Sequence, residues 1–266
     1  MQPAIKMALR IGRQGADYLK AHFDRQELTD QGGPTPRQRL ERVTDSIYAS
    51  FTDQLQKAYK DHYIAPVGDI HAEGHDDSWH IFPVIGEEAF LRGTPDFLLA
   101  LIQKKNNRVE HLLAINPVTT EEYAASRGQG AVLNSRRIRT NGARQMESAT
   151  LTTNAMDHCR DGDNPLVWGE LMTTMATTSH RVLTSPCPLL DIARISAGHM
   201  DGTVLYRPDA LTLEAGTLLV QEAGGLCGDF SGNPMSEDSG QFAIANPKLF
   251  RELLQTLHPF RGRLPR

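Results

Sequence analysis

The chain has 266 residues, of which 39% are hydrophobic and 23% charged, and a net charge of −4. That is enough chain for a sizeable core, and the balance argues against a nucleic-acid binder and against an acidic disordered chain. Three scattered cysteines (Cys159, Cys187 and Cys227) without a C-x-x-C pair make neither a disulfide framework nor a zinc site, so reduced thiols are expected.

Met1-Gln2-Pro3-Ala4-Ile5-Lys6 has no apolar run of signal-peptide type, and nothing approaches the ~20 apolar residues of a membrane helix. A soluble cytoplasmic protein is expected. Residues 4–23 carry Ile5, Ala8, Leu9, Gly12, Ala16, Leu19 and Phe23 in a helical stripe. Residues 30–37 are a loop by composition. Ile47, Phe51, Leu55 and Ala58 predict a helix over 46–58 with Ser46 as N-cap. Residues 68–78 are a polar loop. Strand-like runs follow at 80–85, 97–103, 109–116 and 121–125, and the pair Asn106-Asn107 suggests an antiparallel meander. Helices are predicted at 167–180, 188–198 and 211–223, the last closed by Gly224-Gly225. A strand at 241–245 leads through Asn246-Pro247 into a helix at 248–257. The pattern is mixed α/β, without an internal repeat and without a linker that would separate independent domains.

Several segments, in order, resemble the inositol monophosphatase family, in particular its bacterial extragenic-suppressor type. They are Met1 to Arg10; Val43-Thr44; Arg127-Gly128-Gln129-Gly130-Ala131-Val132-Leu133-Asn134; Ala215-Gly216-Thr217-Leu218-Leu219-Val220-Gln221-Glu222-Ala223-Gly224-Gly225; Asp229-Phe230-Ser231-Gly232; and Ala245-Asn246-Pro247. The resemblance covers nearly the whole chain. It implies the layered αβαβα sandwich of the sugar-phosphatase superfamily over residues 1–266, with an N-terminal α+β half (1–145) and a C-terminal α/β half (146–266). It also implies a homodimer and Mg²⁺-dependent hydrolysis of a phosphate monoester.

Such a reaction needs hard oxygen ligands for Mg²⁺. Aligned on the family's motifs, the positions that carry its metal-binding and water-orienting acids fall here on Ile47, Val67, Phe82, Ile85 and Thr212. The family's W-x-x-D-P-x-D-G-T reads Trp79-His80-Ile81-Phe82-Pro83-Val84-Ile85-Gly86-Glu87. Its substrate-binding glutamate falls on Leu205, and its G-S-A-A-type loop reads Pro186-Cys187-Pro188-Leu189, which has two fewer N–H donors for an anion. Clustered carboxylates are tolerable only with metal. Once metal binding is lost, Ile47, Val67, Phe82 and Ile85 are expected to fill the volume as an apolar plug. Neither a catalytic residue nor a bound metal is then expected.

Other registers compete with this one. Ile85-Gly86-Glu87-Glu88 looks like the family's glutamate pair, and Asp209 follows Arg207-Pro208, so Glu87, Glu88 and Asp209 are the candidates that would restore a Mg²⁺ site, with Asp45, Asp69 and Glu214 as possible companions. Asp209 reads otherwise as an N-cap. His71, Glu73, His75, Asp76, Asp77 and His80 could bind a transition metal, although Gly74 argues for a solvated loop. Ser135 reads as a surface hydroxyl, and Cys187 as a buried inert thiol. Arg136-Arg137-Ile138-Arg139 with Arg144 could meet RNA or an acidic protein; without interleaved aromatics, base stacking is not indicated. Arg261, Arg263 and Arg266 read as a frayed tail. The expected role is a catalytically inactive pseudo-phosphatase with a binding or regulatory function. Its partner would lie in the transcription machinery by analogy with relatives, and neither membrane nor nucleic acid is expected. The competing role is an active Mg²⁺-dependent phosphatase with relocated ligands.

Overall fold

The computed structural model describes residues 2–25, 34–71, 74–159, 165–235 and 239–264. The chain divides into two compact units, 1–136 and 137–266.

In the first unit, α1 (Pro3–Phe23) and α2 (Pro36–Ala58) precede β1 (Tyr63–Ile64), β2 (Asp77–Ile85), the short α3 (Glu87–Leu91), β3 (Leu98–Lys105), β4 (Arg108–Asn116), β5 (Glu121–Ser126), β6 (Gly130–Leu133) and β7 (Arg136–Arg137). The seven strands form one sheet in sequence order. The expected meander is present: β2 to β6 pair antiparallel with their neighbours, and Asn106 and Asn107 both take positive φ in the turn between β3 and β4. Helix α2 starts ten residues earlier than its apolar spacing predicts. Thr35 and Gln38 form a capping box ahead of Pro36. Ser46 is therefore mid-helix, and its hydroxyl donates to the Arg42 carbonyl. The expected loop at 30–37 lies partly outside the described residues. One face of the sheet buries Trp79, Ile81, Leu99, Leu101, Leu113 and Ile115 against Ile5, Leu9, Leu19, Ile47, Phe51 and Leu55 of α1 and α2.

In the second unit, β8 (Thr150–Thr153), β9 (Arg181–Thr184), β10 (Gly202–Tyr206), β11 (Leu226–Asp229) and β12 (Gln241–Ala245) form a sheet in the order β11-β12-β10-β8-β9. Strand β8 runs parallel to β9 and β10, and β12 runs antiparallel to β10 and β11. Its helices are α4 (Ala155–Cys159), α5 (Pro165–Thr178), α6 (Pro188–Ser196), α7 (Ala210–Glu222) and α8 (Pro247–Leu257). Both faces are covered. Val204 and Ala243 pack with Trp168 and Leu171 of α5 and Leu249 and Leu253 of α8. Leu205, Phe242 and Ile244 pack with Ile192 and Ile195 of α6 and Leu213 and Val220 of α7. Gly224 ends α7 with φ +81°, and the Asn246 side chain caps α8, as expected. Sequence periodicity missed β8 to β11, which have only four or five residues each. Among the described residues, no helix is long and apolar enough to cross a membrane.

Candidate functional site

The positions where the resemblance expects acids are built as follows. Ile47 projects from α2 into the first unit's core and is 2% exposed. On β2, side chains alternate. Trp79 and Ile81 face the helices, so Ser78, His80 and Phe82 face the other way. Phe82 is buried and pairs with Ala100, and the ladder then slips before Ile85 pairs with Leu98. Pro83 lies in that irregularity, where its missing N–H does least harm to the ladder. Ile85 is half-buried beyond it. Val67 departs from expectation. It is 42% exposed and fills no core volume, because the chain turns there through Gly68 (φ +76°), whose N–H donates to the Ile81 carbonyl. The expected single apolar plug is therefore not formed: Ile47 lies in the core on the helix side of the sheet, Phe82 is buried on the opposite face, Ile85 is half-buried and Val67 is exposed.

In the second unit, Thr212 is buried in the first turn of α7, and its N–H donates to the Asp209 carboxylate at 2.6 Å. Asp209 is thus the N-cap of α7, the ordinary role its sequence position suggests. Leu205 is 1% exposed beneath α6 and α7, so it offers a ligand no surface.

The acids that might restore a metal site are dispersed in role. Glu87 and Glu88 are exposed at the start of α3, with Glu88 paired to Arg92 at 2.5 Å. Asp45 is exposed on α2 and Glu214 is half-buried on α7. Asp69 accepts from the His71 N–H. Among the described residues, no three of His, Cys, Asp and Glu come together as a metal-holding group. Mg²⁺ needs several hard oxygens at once, and side chains such as Ile47, Phe82 and Ile85 offer none.

The histidine-rich segment does not converge either. His75 stacks on Tyr63 with ring centroids 3.9 Å apart, His71 is exposed, and Glu73 lies outside the described residues. His80 is wholly buried. Its Nδ1 meets the Asp69 carbonyl and its Nε2 meets the Ser78 hydroxyl, both at 2.8 Å. A carbonyl can only accept, so Nδ1 carries a proton. Burial depresses its pKa to about 4; the Asp69 hydrogen bond opposes that shift and the Lys104 charge adds to it. Beside it, Lys104 on β3 is 1% exposed and donates from Nζ to the Ile70 carbonyl at 3.0 Å. Two buried basic side chains thus hold consecutive carbonyls of the strap that carries Val67. Lys104 was not among the residues singled out from the sequence. Its signal was the alternation Ala100, Ile102, Lys104, which puts it on one sheet face.

Cys187 is fully buried, and that burial raises its thiol pKa to about 12, so it is no nucleophile. Ser135 is an exposed turn residue at φ +65°. The C-terminal arginines are not a free tail: Arg261 donates to the Phe230 carbonyl at 2.7 Å and Arg263 pairs with Glu170. Arg266 lies outside the described residues.

Comparison with known proteins gives the family. The sequence pattern of the inositol monophosphatase family matches residues 1–260. The chain belongs to the inositol monophosphatase family. The Nus factor SuhB of Pseudomonas aeruginosa is 31% identical over 263 residues, covering 97% of each chain. The Nus factor SuhB of Escherichia coli K12 is 26% identical, covering 97% of this chain and 96% of its own. Among solved structures, the Thermotoga maritima IMPase superposes with a TM-score of 0.81 at 23% identity, covering 99% of this chain and 100% of that one. The extragenic suppressor protein SuhB of Bartonella henselae superposes with a TM-score of 0.78 at 18% identity, covering 97% and 100%. At those identities the structures establish the shared mixed α/β fold.

Proposed function

We propose that this chain is a non-catalytic member of the inositol monophosphatase family, which acts by binding a partner in the transcription machinery. The observation that supports the first half is the burial of Ile47, Phe82 and Leu205, apolar side chains at positions where the resemblance expects the family's acids. A buried Ile47 can neither hold a cation nor orient a water. The second half is supported by relatives named as Nus factors, which match this chain over almost its whole length. A cytoplasmic homodimer is the assembly this reading carries with it. Titration calorimetry with Mg²⁺ or Mn²⁺, run beside inositol-phosphate hydrolysis in excess metal, tests it. The expected result is neither binding heat nor phosphate release. Metal binding with turnover would replace this reading by an active phosphatase with relocated ligands, and would point first to Glu87.

A further inference from the structure

Between Glu122 and Glu147 the chain has no acidic residue and carries Arg127, Arg136, Arg137, Arg139 and Arg144. In a chain of net charge −4 this is a local concentration of positive charge. Arg127 is partly engaged, since it donates to the Val109 carbonyl and lies 3.5 Å from Glu110. Arg136, Arg137, Arg139 and Arg144 are exposed, and among the described residues none of them takes part in an ion pair. We propose that the stretch from Arg136 to Arg144 is a docking surface for an acidic segment of a protein partner.

The backbone beneath these arginines is fixed. Thr140 donates its N–H to the Ala223 carbonyl. Asn141 donates from Nδ2 to Asp201 and to the Met200 carbonyl, and its Oδ1 accepts from the Ala143 N–H. Asn246 donates to the Ala143 carbonyl at 2.9 Å. The carboxylate that meets this stretch, Asp201, takes the Asn141 amide and the Thr150 N–H, and among the described residues it forms no ion pair with an arginine. A surface held in this way loses little backbone freedom on binding. Guanidinium groups match carboxylates through paired N–H donors, which a run of Asp or Glu would supply repeatedly.

Protein is favoured over nucleic acid for two reasons. No aromatic residue lies between Tyr123, which is buried, and Met146, so no ring is offered to a base. The chain's net negative charge also opposes a long polyanion, whereas a short acidic segment meets only the local field.

This inference goes beyond the loss of catalysis and stands whether or not the chain binds metal. Its test reads peptide affinity alone, so its failure is distinguishable from a failure of the metal titration. The full chain is titrated into a labelled short poly-glutamate peptide and, separately, into a labelled single-stranded oligonucleotide, with fluorescence anisotropy as readout. Poly-glutamate should bind, more weakly as salt rises. The variant R136E/R137E/R139E/R144E should lose roughly tenfold or more in affinity. Replacement of the same four residues by lysine should keep most of the binding, and replacement by glutamine should lose it, which covers the case of a reversal variant that does not fold. Unchanged affinity in the glutamine and reversal variants, or tighter binding to the oligonucleotide than to poly-glutamate, would overturn the proposal.

Discussion

At the scale of single residues, the five positions where the resemblance expects acids are not equivalent, and their burial ranks them. Ile47→Asp would put a carboxylate at a position 2% exposed in the apolar core of the first unit, and should cost about 4 kcal/mol or more in urea denaturation, with or without Mg²⁺. Val67→Glu changes an exposed side chain on a turn and should fall within about 0.5 kcal/mol of the parent. Equal costs at the two positions would contradict the burial described here. The same scale shows what a sequence can reveal of the site. Asp209 as a cap and Cys187 as an inert thiol follow from local chemistry: a short acid just ahead of a helix, and a thiol between two prolines. Val67 was misjudged because its exposure depends on how the strap turns at Gly68, which no pattern of residue types encodes. Lys104 was invisible for a related reason. A lysine near a turn is ordinarily solvated, and only the pairing of Lys104 with Ser78 across the ladder brings it beneath the strap carbonyls.

At the scale of elements, periodicity found the long pieces and lost the short ones. Helix α1, strands β2 to β5 and helices α5 to α8 all have enough turns or alternations to be read. The start of α2 was lost because its first two turns, from Arg37 to Arg42, are mostly polar, and the signal there is the capping box rather than an apolar stripe. The Ala215-Gly216 pair shows a motif whose physical reason survives inspection. A Cβ at Gly216 would lie 2.6 Å from Cδ1 of Ile192 on α6. Gly216→Ala should therefore destabilise by roughly 1–2 kcal/mol despite the better helix propensity of alanine. Ile192→Val removes the opposing methyl, so the double variant should recover most of that loss, and denaturation midpoints of the four proteins in the cycle measure the coupling. Additive effects would mean that the two helices do not meet through this pair.

At the scale of the whole molecule, the family pattern runs from residue 1 to 260. One buried group links the fold to solution conditions. His80 titrates near its ordinary value in the unfolded chain and about 4 in the folded one. Between those values the unfolded chain takes up a proton that the native one does not, so stability should fall as pH drops from about 6.5 to about 4, by about 3 kcal/mol from this residue. Above pH 6.5 it contributes no slope. His80→Gln should be less stable at pH 7 and should show a flatter acid limb in urea midpoints measured across that range. An unchanged limb would place the acid sensitivity elsewhere.

The first sheet pairs its strands in the order in which they occur along the chain, and this bears on how the molecule is made. Each of β2 to β6 finds its partner within a few dozen residues at most, so these contacts close short loops and form quickly. Everything in residues 1–136 is available before the ribosome has delivered the second unit, where β8 must wait for β10, some fifty residues later, to pair Thr152 with Thr203. The α1–α2 face with its buried Ile47 can therefore be sealed co-translationally, which leaves the slower, crossed sheet to complete its core after its last strand emerges.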